Sequence, residues 1–520
     1  MGYTITNIYV ITTVAVIGGA LFGFDIASMS AILGTQQYKC FFNQTGIKDG
    51  NCGGPTSANQ GGISAAMPGG SWVGALVSGF ITDWLGRRGA IQSGSVIWCI
   101  GSAIVCSSFS IGQLVVGRFI NGLSVGILSA QVPVYVAELA QPSKRGQVVG
   151  AQQWAITWGI LIMFYVSYGC SFIKGPAAWR TPWGLQMIPA VLLFFMVFLL
   201  PESPRWLAKK DRWEEAHEVL ASVHAKGDRN APFVHTELQE IRDMVEFERQ
   251  NKDASYLDLF KGNMIYRTHL GMFTQIWSQL TGMNVMMLYI TYVFGMAGLT
   301  GNSNLIASSI QYVINVVMTV LALVFIDRWG RRTPLLVGST LMMTWMFANA
   351  GIMASYGKPA PPGGLHNVAE QSWDLSSSPR AAKALDLPPE LYPLRLRGKA
   401  VALSTSSNWI FNFALSYFVP PAFENIQWKV YLVFGVFCFA MTVHVFFAFP
   451  ETAGKTLEDV ETMFTTPGLK PWKTTVQFHH VRKLEQGAIQ SEKLADLNAE
   501  EGNVQVPKSV AKETSVSQIE

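Results

Sequence analysis

Charge is scarce in this chain. Of its 520 residues only 14% are Asp, Glu, Lys or Arg, against 49% hydrophobic, whereas soluble domains carry about 25% charged residues. That deficit excludes an ordinary water-facing surface and implies a bilayer. Cysteine is scarce too: six in this length do not make a disulfide framework. A net charge of +4 is too small to suggest nucleic acid. The sequence contains no metal-ligand cluster, nucleophile triad or phosphate loop, so neither a cofactor nor an enzyme is expected. No Ala-x-Ala-like cleavage site follows the first apolar run, which is long enough to span.

What the chain does have is a series of apolar stretches of about 20 residues, the length that crosses a hydrocarbon core. They lie near 9–31, 62–82, 91–109, 113–137, 148–172, 183–200, 269–297, 306–326, 334–355, 401–420 and 428–449. The pattern predicts an all-α membrane protein with eleven spans. It divides into an N-terminal half (1–200), a polar linker with short helices (201–267), a C-terminal half (268–450) and a tail (451–520). The last forty or so residues of the tail are expected to be disordered. Arg87 and Arg88 follow the second span, and Arg328, Arg331 and Arg332 follow the eighth. The positive-inside bias places both loops in the cytoplasm and the 34–61 loop outside. There Asn43-Gln44-Thr45 reads as a glycosylation acceptor. Cys40 and Cys52 can pair in that loop or remain two thiols.

The two halves repeat one another. Asp83-Trp-Leu-Gly86-Arg87-Arg88 in the first matches Asp327-Arg328-Trp329-Gly330-Arg331-Arg332 in the second. Further on, Glu138 and Arg145 in the first half match Glu390 and Arg397 in the second, each pair seven residues apart. Each half closes on a Pro-Glu, Pro201-Glu202 and Pro450-Glu451. Two homologous halves around a midplane site are a transporter plan. The aspartates are expected to accept from nearby arginines and helix N-termini, and Glu138 and Glu390 to pair with loop arginines. Such pairs would hold an outward-open state and break when the halves rock.

These motifs resemble the sugar porter branch of the major facilitator superfamily, over about Val10 to Glu458. The match rests on both Asp-x-x-Gly-Arg-Arg loops, Arg118-x3-Gly122-x3-Gly126, Pro133-x-Tyr135-x2-Glu138, Pro201-Glu202-Ser203-Pro204-Arg205, Gln279-Leu-Thr-Gly282-Met-Asn284 and Pro450-Glu451-Thr452. The Trp277-to-Asn284 stretch looks like that of fungal proton-linked hexose transporters, and quinate permeases share much of the pattern. The resemblance implies a major facilitator fold of two six-helix halves in the plasma membrane. It also implies that sugar contacts fall on Gln153, Gln279, Asn284, Asn315, Asn408 and Trp409. Ser278 stands where many relatives have a second Gln. Neutral amides suit a ring of hydroxyls, each of which donates and accepts, and such groups are costly inside a span.

Asp25 is the sharpest single residue: a carboxylate inside an apolar helix is a functional group by default. Arg118 is its expected partner. Proton-coupled members of the family carry an acid at this place, so the expected partners are a sugar and a proton, in a bilayer and without nucleic acid. The second half departs from the plan. Between Arg332 and Glu390 only 334–355 is apolar enough to span, so the tenth crossing is missing. Taken literally, this would put Arg395, Arg397, Lys399 and the tail outside and reverse the last two spans, which conflicts with the positive-inside bias; the tail is therefore read as cytoplasmic and the gap as a splice or gene-model variant. A sugar sensor, or an inactive variant of a transporter, are the alternatives to a working permease.

Overall fold

The computed structural model describes residues 5–48, 51–141, 145–250, 255–262, 264–296, 301–330, 332–356, 358–359, 365–366, 394–451, 464 and 474. Nearly all of them are helical. The first crossing is α1 (Ile8–Ala15) and α2 (Ile17–Leu33), followed by a short α3 (Gln36–Phe41). A small hairpin, β1 (Ile47–Lys48) with β2 (Asn51–Cys52), then leads into α4 (Ser57–Cys106). A straight helix of that length would reach about 75 Å, more than twice the hydrocarbon thickness. It breaks at Gly86, where φ is 82°, so α4 holds the second and third spans with the Arg87–Arg88 loop between them.

The N-terminal half continues with α5 (Ile111–Leu139), α6 (Arg145–Cys170), α7 (Ala177–Leu185) and α8 (Met187–Val197). The linker forms α9 (Pro204–Lys209), α10 (Trp213–His224) and α11 (Pro232–Gln250). They share a small core of Ala208, Leu220, Val234, Ile241 and Val245. The seventh span is broken into α12 (Met264–Leu280), α13 (Met283–Leu288) and α14 (Ile290–Met296). Then come α15 (Gly301–Trp329), α16 (Arg332–Tyr356), α17 (Leu394–Ile426) and α18 (Lys429–Ala448). Among the described residues seven helical stretches are long and apolar enough to cross a membrane, with the 50-residue α4 counted once.

In the bilayer small residues let helices approach, because lipid tails offer no hydrophobic drive to associate. The Arg118-x3-Gly122-x3-Gly126 spacing does this work. A Cβ at Gly122 would collide with the Met67 carbonyl, and one at Gly126 with that of Ser71. The first leg of α4 thus lies directly on α5. Gly23 and Gly159 seat α2 on α6 in the same manner, against Ile156 and Ala20.

The last two spans are not reversed relative to the Arg332 loop. Leu396 and Ala400, at the start of α17, share a cluster with Leu335 near the start of α16 and with Phe449 just beyond α18. At the opposite end, Gly61 of α4 meets Tyr417 of α17. The physical reason is polar matching. In this direction Ser406 accepts from Trp72 and Asn408 accepts from Gln279. The start of α17 therefore lies at the same end as the Arg332 loop, while Tyr356 ends α16 at the other face. The missing tenth crossing and the disordered tail fall outside the described residues.

Candidate functional site

Two polar constellations emerge, one at the midplane and one at the cytoplasmic ends. At the midplane α5 carries Arg118 against Asp25 of α2. Both are buried, at 1% and 2% exposure. The guanidinium reaches Asp25 Oδ2 through Nη2 at 3.0 Å and Oδ1 through Nη1 at 3.3 Å, and its Nε donates to the Ile63 carbonyl at 2.9 Å. The pair expected from the sequence is therefore formed in bidentate geometry.

Across the molecule an amide chain runs between α12, α13 and α17. Gln279 donates from Nε2 to Asn408 Oδ1 at 2.6 Å, and Asn284 donates to Gln279 Oε1 at 2.7 Å. Ser278 Oγ reaches the same Asn408 oxygen at 3.4 Å. Trp409 follows on α17 and meets Phe22 of the N-terminal half edge to face, with centroids 5.4 Å apart. Asn315 is fully buried on α15. Neither of its amide atoms, nor Trp409 Nε1, has a hydrogen-bond partner among the described residues. Buried polar atoms of this kind normally have partners. Gln153 is half-buried on α6, while its neighbour Gln152, not anticipated from sequence, is the more buried of the two and has an unpartnered Oε1. Asn412, also on α17, accepts from Ser416 within its own helix.

At the cytoplasmic ends Arg87 grips Glu138 with two bonds of 2.9 Å. Ser203, which caps α9, donates its hydroxyl to the same carboxylate. Glu202 receives the backbone N–H groups of Arg87, Arg88 and Ser203. Burial pushes the Glu202 carboxyl above its ordinary value, and these donors oppose the shift. The positive φ at Gly86 has a second use, because a side chain there would strike Glu202. The second half repeats the arrangement. Arg332 N donates to Glu451 Oε2 at 2.9 Å, and Arg332 Nη2 donates to the Phe446 carbonyl at 2.9 Å, as Arg88 Nη2 does to Phe198. Gly330 matches Gly86, with φ of 79°. Glu202 and Glu451 are the receptors that sequence reasoning left among the closing motifs, although their register with the loops was visible.

One expectation is corrected. Asp83 does not accept from the loop arginines. It is exposed and pairs at 3.5 Å with Lys209 of the linker, because Glu138 and Glu202 already occupy the Arg87 side chain and the loop's backbone donors. The expected Arg87–Glu138 pair is formed. It lies wholly within one half and is present while the outer ends meet. There Thr291 and Tyr312 donate to Ser30, and Gly34 packs on Thr291. Arg331 and Glu390 lie outside the described residues, as do the side chains of Arg145, Asp327 and Arg397. Outside the bilayer, Cys40 and Cys52 form a disulfide, which settles the open choice between a bond and two thiols. Asn43 is half-buried in the same loop, with Oδ1 accepting from Gly46 N at 3.1 Å.

Paired loops, broken spans and a polar midplane between two halves define a multi-pass membrane carrier, not an enzyme. The chain matches the Sugar (and other) transporter family over residues 11–464. It is 44% identical over 489 residues to the high-affinity glucose transporter of Kluyveromyces lactis, covering 90% of this chain and 87% of that one. It is 42% identical over 517 residues to the MFS glucose transporter mfs1 of Aspergillus flavus, covering 94% and 95%. Among solved structures, the proton:xylose symporter XylE bound to 6-bromo-6-deoxy-D-glucose aligns with a TM-score of 0.71 at 26% identity, covering 88% of this chain and 99% of that one. The chain belongs to the sugar transporter family of the major facilitator superfamily.

The Glu202 receptor makes a stability prediction. Glu202→Ala removes the acceptor of three partly buried backbone N–H groups, and each charge-assisted bond lost is expected to cost about 1.5–3 kcal/mol. Asp83→Ala breaks only an exposed pair, worth about 0–1 kcal/mol. Thermal unfolding of the detergent-purified protein should show a marked loss for the first and little for the second.

Proposed function

We propose that this sugar transporter is a proton-coupled monosaccharide permease of the plasma membrane, working by alternating access. The observation that carries the reading is the buried Asp25–Arg118 pair. An ionised carboxylate at this depth is tolerated only while Arg118 faces it. Protonating Asp25 removes its charge and leaves Arg118 held chiefly by the Ile63 carbonyl. A proton on Asp25 therefore changes what Arg118 can hold α2, α4 and α5 together with, and this is a route from protonation to helix movement. The glucose transporters and the proton:xylose symporter among the relatives support a hexose or pentose as substrate.

A neutral substrate fits the site better than quinate does. A carboxylate would want a free cation, and the buried midplane guanidinium, Arg118, is already engaged with Asp25. Gln279, Asn284, Asn408, Asn315 and Trp409 would hold the hydroxyls and one ring face, with Gln153 or Gln152 facing from α6. The disulfide-closed loop with Asn43 suits an oxidising exterior. Removal of N-glycans should increase gel mobility of the wild type and leave Asn43→Gln unshifted; a wild type with no shift would remove that assignment.

Coupling is checked by radiolabelled glucose and xylose uptake in a transport-deficient host. Accumulation above the external concentration should collapse with an uncoupler. Asp25→Asn should lose accumulation while keeping downhill entry or exchange. Accumulation that survives in Asp25→Asn would overturn the coupling role.

A further inference from the structure

Trp277 lies on α12 two residues before Gln279, so the two side chains point about 200° apart around the helix axis. Gln279 faces Asn408, whereas Trp277 faces α18. There its indole Nε1–H donates to His444 Nδ1 at 2.7 Å. An indole nitrogen can only donate, so Nδ1 carries the lone pair and the hydrogen sits on Nε2. Trp72 and Trp98 also donate, to Ser406 and to the Gln186 carbonyl, but several buried indoles do not. Trp179, Trp183, Trp206 and Trp409 are all buried, and none has an Nε1 partner among the described residues. The His444 ring is fixed by His269, Phe273 and Phe449, with centroids at 4.9, 5.0 and 5.4 Å.

A second point of α18 holds the same segment. The helix break after α12 falls at Gly282, where φ is 78°, and a Cβ there would press on the Phe434 ring at 2.8 Å. His444 and Phe434 are ten residues apart on α18, about 15 Å. They brace α12 and the break that follows it on either side of Gln279.

We propose that His444 is a positioning residue for the sugar site: by accepting the Trp277 indole hydrogen it sets the rotation of α12 that aims Gln279 at Asn408. The proposal rests on the reading of Gln279, Asn284 and Asn408 as sugar contacts. It places a determinant of sugar affinity on the outer face of the seventh span, away from the substrate.

The test is uptake kinetics of the full-length protein, with surface amount measured by a fluorescent tag. His444→Ala and Trp277→Phe should each raise the half-saturation concentration about three- to tenfold, the worth of one hydrogen bond, with little change in maximal rate per transporter. The double variant should be no worse than either alone. His444→Asn puts an oxygen near the Nδ1 position and should restore affinity to within about twofold, by the same hydrogen-bond measure. Should His444→Ala fail to reach the membrane, His444→Asn and Trp277→Phe decide alone. Gln279→Ala separates the two readings. If it raises the half-saturation concentration while Trp277→Phe does not, the positioning role is overturned and the site reading stands. If Gln279→Ala leaves it unchanged, the site reading fails and takes this proposal with it.

Discussion

A carboxylate sealed inside a membrane span governs the rest of this structure. Asp25 cannot be ionised at 2% exposure without a partner, since the effective penalty for burying one ion is several kcal/mol. Arg118 supplies the partner, and its own remaining hydrogen-bonding capacity is partly met by the Ile63 carbonyl. That arrangement needs α2, α4 and α5 within side-chain reach of one another. The glycines at 70, 74, 122 and 126 bring α4 onto α5, and those at 23 and 159 bring α2 onto α6. The close approach of α4 to α5 sets the Ile63 carbonyl beside Arg118, whose guanidinium meets Asp25 out of solvent.

The cytoplasmic ends follow a different logic. Each half turns on a glycine with positive φ and closes its loop on a glutamate that arrives from the end of the half, Glu202 or Glu451. The repeat is therefore a repeat of contacts as well as of letters, including the arginine that reaches a carbonyl on the last span, Phe198 or Phe446. In the first half this cluster also ties the linker to the loop through Ser203, and Lys209 adds a weaker exposed tie to Asp83. Because these bonds stay within a half, they stiffen it as a body. The two halves meet at seams where Phe22 packs on Trp409 and Trp72 donates to Ser406.

The sequence makes the midplane pair legible because a charge in an apolar run has few possible partners. The amides within the seventh span and on α17 are legible for the same reason, and three of them, Gln279, Asn284 and Asn408, meet in one chain. What it hides is direction. Nothing in the Asp83 loop says that Glu138 and Glu202 will outcompete Asp83 for Arg87 and the loop N–H groups, because that choice depends on which acceptor the fold buries beside them. The count of apolar runs also misleads about α17. Counting assumes that each crossing reverses the next, whereas the helix is oriented by matching Ser406 and Asn408 to Trp72 and Gln279. Likewise Trp277 reads as one more aromatic in a span until His444, more than 160 residues away, supplies its acceptor.

The central claim is that sugar movement is linked to a proton through Asp25. The most direct measurement is the pH of a lightly buffered suspension of cells or proteoliposomes when sugar is added. The account predicts a transient external alkalinisation with the wild type, scaling with sugar uptake and absent in Asp25→Asn. Sugar entry by the wild type with no accompanying alkalinisation would contradict it.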